Sequence, residues 1–222
     1  METVPFQSPR GCLSYLLVDM VTREAALIDP TQEIETETYL AVLAKRDARL
    51  TYVVETHTHA DHISSAPDIV KRTGARLVRH AHAPSPHKDL AVVGGERLTL
   101  GGTELSIIAT PGHTDESISI AADGAVFTGD ALLIGGTGRT DFQAGSSEAL
   151  YDSLHTTFGL LSDDTAVYPA HDYQGRTSST IGAEKESNPR FALTHDDFLA
   201  TMDAHHPPKP ELFDAAIAAN SL

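Results

Sequence analysis

The sequence predicts an α+β fold in which two sheets are covered by helices. Short apolar and β-branched runs dominate the middle of the chain, and helical stretches are interspersed among them. No apolar run approaches the ~20 residues needed to span a bilayer. Several of the runs also end in polar clusters: Val54 before His57, Ile108 before His113, Phe127 before Asp130 and Val167 before His171. Loops at strand ends are where a rigid scaffold presents function, so the four clusters are expected along a shared edge.

In chain order, LSYLLVD (13–19) and EAALIDP (24–30) read as two strands joined by a short turn. Residues 33–48 place Ile34, Tyr39, Leu40, Val42 and Leu43 at helical spacing. Residues 50–54 form a short β-branched strand that runs into the first histidine cluster, and a second helix over 64–73 ends near Gly74. RLVRH (76–80), ERLTL (96–100), ELSIIAT (104–110), SISIAAD (117–123) and AVFTGD (125–130) read as further strands. SSEALYDSLHTTFGLL (146–161) reads as a helix capped by Ser146 or Ser147. TAVYPA (165–170) is a last strand. The segment beyond His171 is helical and polar, with a Pro-rich break at 207–210. There is no internal repeat, and the expectation is one domain over 1–222 with a short helical C-terminal extension from about residue 176.

Composition narrows the function. The formal charge of -15 over 222 residues argues against non-specific binding to nucleic acid or to an acidic membrane surface. It leaves room for an anionic small substrate held by a few arginines. Cys12 is the only cysteine, so an internal disulfide and thiolate-rich zinc sites are ruled out, and a reducing cytoplasm is expected. The opening METVPFQSPRG lacks a charged segment followed by an apolar one, so no secretory signal is expected there.

Four segments supply candidate metal ligands: His57, His59, Asp61 and His62 in THTHADH; His113 in TPGHT; Asp130 in FTGD; His171 in YPAHD. Imidazole and carboxylate without a thiolate suit zinc, iron or manganese. A lone histidine is more often a surface or core residue, and His80, His82, His87, His155, His195, His205 and His206 are read that way. Asp130 alone could be a turn residue. The packed cluster at 57–62 outweighs the bland reading for its companions. It does not separate one metal ion from two.

THTHADH, PGHT, TGD and AHD in that order resemble the metallo-β-lactamase superfamily, over about residues 12–175. The resemblance implies an αββα sandwich, two mixed sheets flanked by helices, with metal in a cleft along one edge. In the two-metal hydrolases of the superfamily, including the glyoxalase II type, His57, His59 and His113 would hold one ion and Asp61, His62 and His171 the other, with Asp130 bridging.

DALLIGGTGRTDFQAG (130–145), YPAHDYQG (168–175), NPR (188–190), PKP (208–210) and AAN (218–220) are similar to the ETHE1-type persulfide dioxygenases, also called sulfur dioxygenases. GRTDFQ is the most specific piece. Gly135-Gly136-Thr137-Gly138 lacks the context of a phosphate loop and otherwise reads as a flexible turn. One departure is His113-Thr114-Asp115-Glu116-Ser117, where the family pattern calls for glycine or proline after the threonine.

This closer resemblance implies one Fe(II) per chain on His57, His113 and Asp130, a two-His, one-carboxylate set with positions open for a persulfide sulfur and dioxygen. It makes His59, Asp61, His62 and His171 groups that orient the ligands. It also implies glutathione persulfide as substrate, oxidised with O2 and water to sulfite and glutathione. Arg139 and Arg190 match family positions for substrate contact, and Tyr173 adds a hydroxyl. Arginine suits the role because its planar fork pairs with a carboxylate. A homodimer is left open. The chief alternative is a dinuclear glutathione thiolester hydrolase, against which only 51 residues follow His171. A non-catalytic metal-binding or glutathione-binding module is a further alternative, disfavoured by the complete ligand set.

Overall fold

The computed structural model describes residues 1–222. Twelve strands and six α-helices alternate along the chain. The first sheet runs β1 (Glu2–Gln7), β2 (Leu13–Val18), β3 (Glu24–Ile28), β4 (Arg49–Val54), β5 (Arg76–His80) and β6 (Leu90–Val92), hydrogen-bonded in that order. Its first two pairings are antiparallel and its last three parallel. The second sheet is ordered β12 (Ser179–Thr180), β11 (Ala166–Pro169), β10 (Ala125–Gly129), β9 (Ile118–Ala122), β8 (Thr103–Ala109) and β7 (Arg97–Leu100), with β10 and β11 its parallel pair. Both sheets are therefore mixed, as expected.

The side-chain period of two explains the layering. In β2, Leu13, Tyr15 and Leu17 point between the sheets and meet Leu105, Ile107, Ile120 and Phe127 of the second sheet. Leu16 and Val18 point the other way, onto Tyr39 and Leu43 of α1 (Thr36–Lys45) and into the cluster that holds Ile69 of α2 (Ala66–Thr73). The outer face of the second sheet, Val126 and Val167, packs on Leu150, Phe158 and Phe198. Those residues belong to α3 (Ser147–Asp152), the turns that prolong it, and α5 (His195–Asp203). The result is a four-layer αββα sandwich with three buried apolar clusters. Every strand with both faces covered reads as the near-continuous apolar run seen in the sequence.

Differences from the sequence reading have local causes. Strand β1 carries Pro5 and half-exposed side chains, as an edge strand can, and this masked it. Strands β6 and β12 are three and two residues long. Helix α1 is shorter than 33–48, because Asp47 adopts φ 50° and breaks it. The helix expected over 146–161 starts at the Ser146 cap, whose side chain accepts from Ala149 N, but continues from residue 153 as a π turn and then a 3-10 turn. There Ser153 donates its hydroxyl to Pro111 O and Thr156 donates to Asp152 O, drawing this stretch away from regular α geometry. After β12 the chain adds α4 (Ile181–Ser187), α5 and α6 (Phe213–Asn220).

Candidate metal centre

The four ligand-bearing segments follow β4, β8, β10 and β11 and meet at one edge of the sandwich. The start of β2 joins them: Leu13 N–H donates to Ala170 O at 2.7 Å, and Cys12 pairs with His171 as an isolated bridge.

His57, His113 and Asp130 form one group whose ligand atoms lie within 4.8 Å of one another. Their surroundings fix which atoms face inward. Asp29 accepts from Thr56 N–H at 2.8 Å and from Thr56 Oγ1 at 2.7 Å. With its proton committed to Asp29, Thr56 Oγ1 accepts from His57 Nδ1–H at 3.0 Å. Nε2 of His57 is thereby the unprotonated nitrogen, and it is buried with no hydrogen-bond partner. Burial lowers the His57 pKa well below its ordinary value, with the neighbouring His59 and His113 adding to the effect, so the ring is neutral. His113 Nδ1 donates to Arg139 O at 2.7 Å, which leaves its Nε2 facing Asp130 Oδ2 at 3.7 Å. The other oxygen of Asp130 accepts from His171 Nδ1 at 2.6 Å. Two imidazoles and one carboxylate, each held from behind, fit a divalent ion of the zinc, iron or manganese kind.

Glycines make these approaches feasible. A Cβ on Gly138 would lie 2.5 Å from Asp130 O and 2.8 Å from His113 Nδ1. Gly129 has φ 54°, and a Cβ there would lie 2.6 Å from Thr56 Oγ1. Gly138 of the GGTG stretch and Gly129 of TGD thus serve close packing at the centre.

The remaining members of THTHADH pack beside this group, with the His59 ring 4.1 Å from that of His57 between centroids. His59 is buried with Nε2 3.2 Å from Asp29 Oδ1 and belongs to neither ligand group. Asp61, His62 and His171 form a second group together with Cys12. Asp61 Oδ2 accepts from His171 Nε2 at 2.8 Å and from His62 Nδ1 at 3.1 Å. Burial works against charge on His171, but Asp130 and Asp61 on either side outweigh it and raise its pKa well above the ordinary value. In the metal-free state this group is neutralised by protons.

Residues that sequence reading passed over hold the cluster in place. Asn220 donates from Nδ2 to His59 O at 2.8 Å and to His62 O at 2.9 Å, and accepts from Ser64 N–H at 3.0 Å. The AAN stretch is therefore a clamp on the histidine loop, supplied by α6. Asn188 of NPR donates to Gly136 O at 3.0 Å, tying α4 to the GGTG stretch. Glu116, next to the departure at Asp115 in HTDES, is buried and accepts from Thr58 N–H at 2.7 Å and Thr114 Oγ1 at 3.2 Å. It links the loop of His57 to that of His113. Burial raises its pKa.

Beside the ligands lies a cavity of about 340 Å³, with Asp61, His113, Asp130 and His171 on its floor. Arg139, Phe142, Tyr173, Pro207 and Pro208 contribute to its walls. The Arg139 guanidinium is committed within the protein. It forms a fork to Asp141 at 2.5 and 2.7 Å, donates to Pro208 O at 3.0 Å and Pro207 O at 2.8 Å, and stacks on Phe142. Tyr173 is exposed at 77% and stacks near-parallel to His171. Arg190 is not part of the lining; its N–H caps Asn188 Oδ1 beyond α4. The expected Arg190 contact with a substrate in this cavity thus has no counterpart in the lining.

Residues 8–171 match the metallo-beta-lactamase superfamily model. The chain is 40% identical over 225 residues to the mitochondrial persulfide dioxygenase ETHE1 of Bos taurus, covering 96% of this chain and 84% of that protein. The same protein from Homo sapiens is 40% identical over 225 residues with the same coverage. Among solved structures, ETHE1 from Myxococcus xanthus superposes with a TM-score of 0.95 at 41% identity, covering 100% of this chain and 98% of that one.

Proposed function

The chain belongs to the ETHE1 persulfide dioxygenase family of the metallo-β-lactamase superfamily, and we propose that it oxidises glutathione persulfide with O2 and water to sulfite and glutathione, using one Fe(II) per chain. The observation that supports the iron assignment is that the ligand atoms of His57, His113 and Asp130 converge within 4.8 Å in a group that His59, packed on the His57 ring, does not join. A two-metal hydrolase would need His59 on its first ion. A mononuclear centre needs only the three.

Held by His57 Nε2, His113 Nε2 and Asp130, Fe(II) would supply the redox chemistry toward dioxygen that zinc lacks. The protein's own groups do the rest. Thr56, backed by Asp29, and the carbonyl of Arg139 lock both imidazoles with Nε2 inward. His171 holds a proton on the pocket floor between Asp130 and Asp61. Asp61, His62 and His59 orient this second layer. Tyr173 stands at the cavity mouth, where its hydroxyl can meet the peptide part of a glutathione substrate. Arg139 shapes the wall through Pro207 and Pro208, with its guanidinium paired to Asp141. Arg190 is retained only as a longer-range cation near α4. The buried free thiol of Cys12 suits a reducing compartment such as the cytoplasm, and no helix is long and apolar enough to cross a membrane.

Oxygen consumption with glutathione persulfide on anaerobically iron-loaded protein tests the reading. Uptake of O2 matched by equal sulfite and glutathione is the expected result. Glutathione thiolester hydrolysis without O2 uptake would replace it with the dinuclear hydrolase.

A further inference from the structure

Gln143 of the GRTDFQ stretch stands in the cavity wall, and nothing in the chemistry above uses it. Its carboxamide Nε2 donates to the Thr58 carbonyl at 2.6 Å, in the loop between His57 and His59. We propose that Gln143 is a specificity-determining residue of this site. Its Oε1 accepts the N–H of a substrate built on an N-acylated cysteine, the glutathione kind included, and so selects such persulfides over simple alkyl ones; the persulfide part rests on the dioxygenase reading.

The aim of the carboxamide supports this first. Its nitrogen end is committed to Thr58 O, while Oε1 accepts from no donor of the protein and is not enclosed. Pinning one end of a planar amide fixes the other, so an acceptor oxygen is held at a set place in the cavity wall. The anchor is itself held: Thr58 is buried, and its N–H donates to the Glu116 carboxylate at 2.7 Å.

Backbone strain marks the same turn. Gln143 and Ala144 both lie in the left-handed region, at φ 50° and 54°, where a residue with a Cβ is disfavoured. Such conformations persist where the surroundings over-determine them, and they gather at ligand clamps. Here Phe142 packs on Phe213 with ring centroids 4.8 Å apart, and Gly145 N–H donates to Phe142 O at 2.8 Å. A Cβ on Gly145 would lie 2.4 Å from Thr140 O and 2.9 Å from His113 O, so the turn closes directly against the His113 loop.

The charge of the cavity names the partner. Asp61 and Asp130 stand on the floor, and the Arg139 guanidinium is forked onto Asp141. Such a lining is complementary to N–H donors and not to carboxylates. In an N-acylated cysteine the amide N–H sits on the carbon next to the one that carries sulfur. With sulfur at the triad, that N–H is the donor closest to the ligand loops, where Gln143 is anchored. A site built to hydrogen-bond such a group rejects analogues that lack it, because its own acceptor is then left unpaired.

Calorimetric titration of small thiols into anaerobic Fe(II)-loaded protein is the test. N-acetylcysteine and 3-mercaptopropionate carry the same charge and differ by the acylamino group. Wild type is expected to bind N-acetylcysteine about 10-fold more tightly, the order that one such hydrogen bond supports. Gln143→Met, similar in length but without donor or acceptor, should lose that preference by weakening N-acetylcysteine alone. A wild type that does not discriminate, or a Gln143→Met that still does, overturns the proposal. Should Gln143→Met fail to hold iron, the wild type decides with N-acetyl-N-methylcysteine, which keeps the acyl group and lacks the N–H. Binding as weak as that of 3-mercaptopropionate supports the contact, and binding as tight as that of N-acetylcysteine overturns it. No O2 or persulfide enters the titration. A failed oxygen assay therefore leaves this result standing, and indiscriminate thiol binding leaves the dioxygenase reading intact.

Discussion

His113 Nδ1 donates to the backbone carbonyl of Arg139 at 2.7 Å, so the residue whose side chain builds the pocket wall also aims a candidate metal ligand. The Arg139 guanidinium is anchored on Asp141 and on the carbonyls of Pro207 and Pro208. Losing a charged hydrogen-bond partner of this kind typically costs about 1.5–3 kcal/mol, or roughly 10–150-fold in kcat/KM. Arg139→Ala should therefore lower kcat/KM by that order for glutathione persulfide and for a small persulfide alike. A loss confined to the glutathione substrate would mean that the fork leaves Asp141 to read carboxylates.

Thr56 relays Asp29 to His57 through one hydroxyl. Thr56→Val keeps the shape and removes the relay, freeing the His57 tautomer. Metal affinity should fall by about 10–100-fold, as for other groups that support ligands. Competition with a chelator would check this, and an unchanged metal dissociation constant would show that packing alone orients His57.

Asp61 touches His171 and His62 but is absent from the triad group. Asp61→Asn should lower turnover by about 10–100-fold while iron, supplied as the only metal, stays bound. Loss of iron in step with activity would place Asp61 on the iron itself.

The metal-free protein should weaken in alkali. Burial opposes charge on His62, but Asp61 and Cys12 prevail and push its pKa up to about 10. A pKa raised on folding gives stability that is full below the ordinary value of 6.5 and is lost as pH rises through the folded value. The melting temperature of metal-free protein should fall between pH 6.5 and about 10. A level or rising melting temperature over that window would show that the cluster is not held by its charged histidines.

Much of this was legible in the sequence because the inner strands are covered on both faces and must be apolar throughout. Runs such as LSYLLV and AVFTG admit little else. The convergence of the candidate ligand segments was legible because each ends such a run. Strand β1 was hidden by Pro5 and by its half-exposed edge position. The roles of Asp29, Asn220 and Cys12 were hidden for another reason: each acts on residues distant in sequence, Asn220 on His59 across 161 positions, and no local pattern marks such contacts. Arg139 was recognised by its motif, but its commitment to Pro207 and Pro208 depends on how the C-terminal segment returns over the pocket.

The most direct test of the central claim is iron content against turnover. Metal-free protein is loaded anaerobically with increasing Fe(II), and each sample is assayed for bound iron and for O2 uptake with glutathione persulfide. The account predicts that turnover rises in proportion to iron and saturates at one ion per chain, and that His57→Ala, His113→Ala and Asp130→Ala each lose iron and turnover together. Turnover that requires two ions per chain, or His113→Ala retaining full iron and activity, would contradict it.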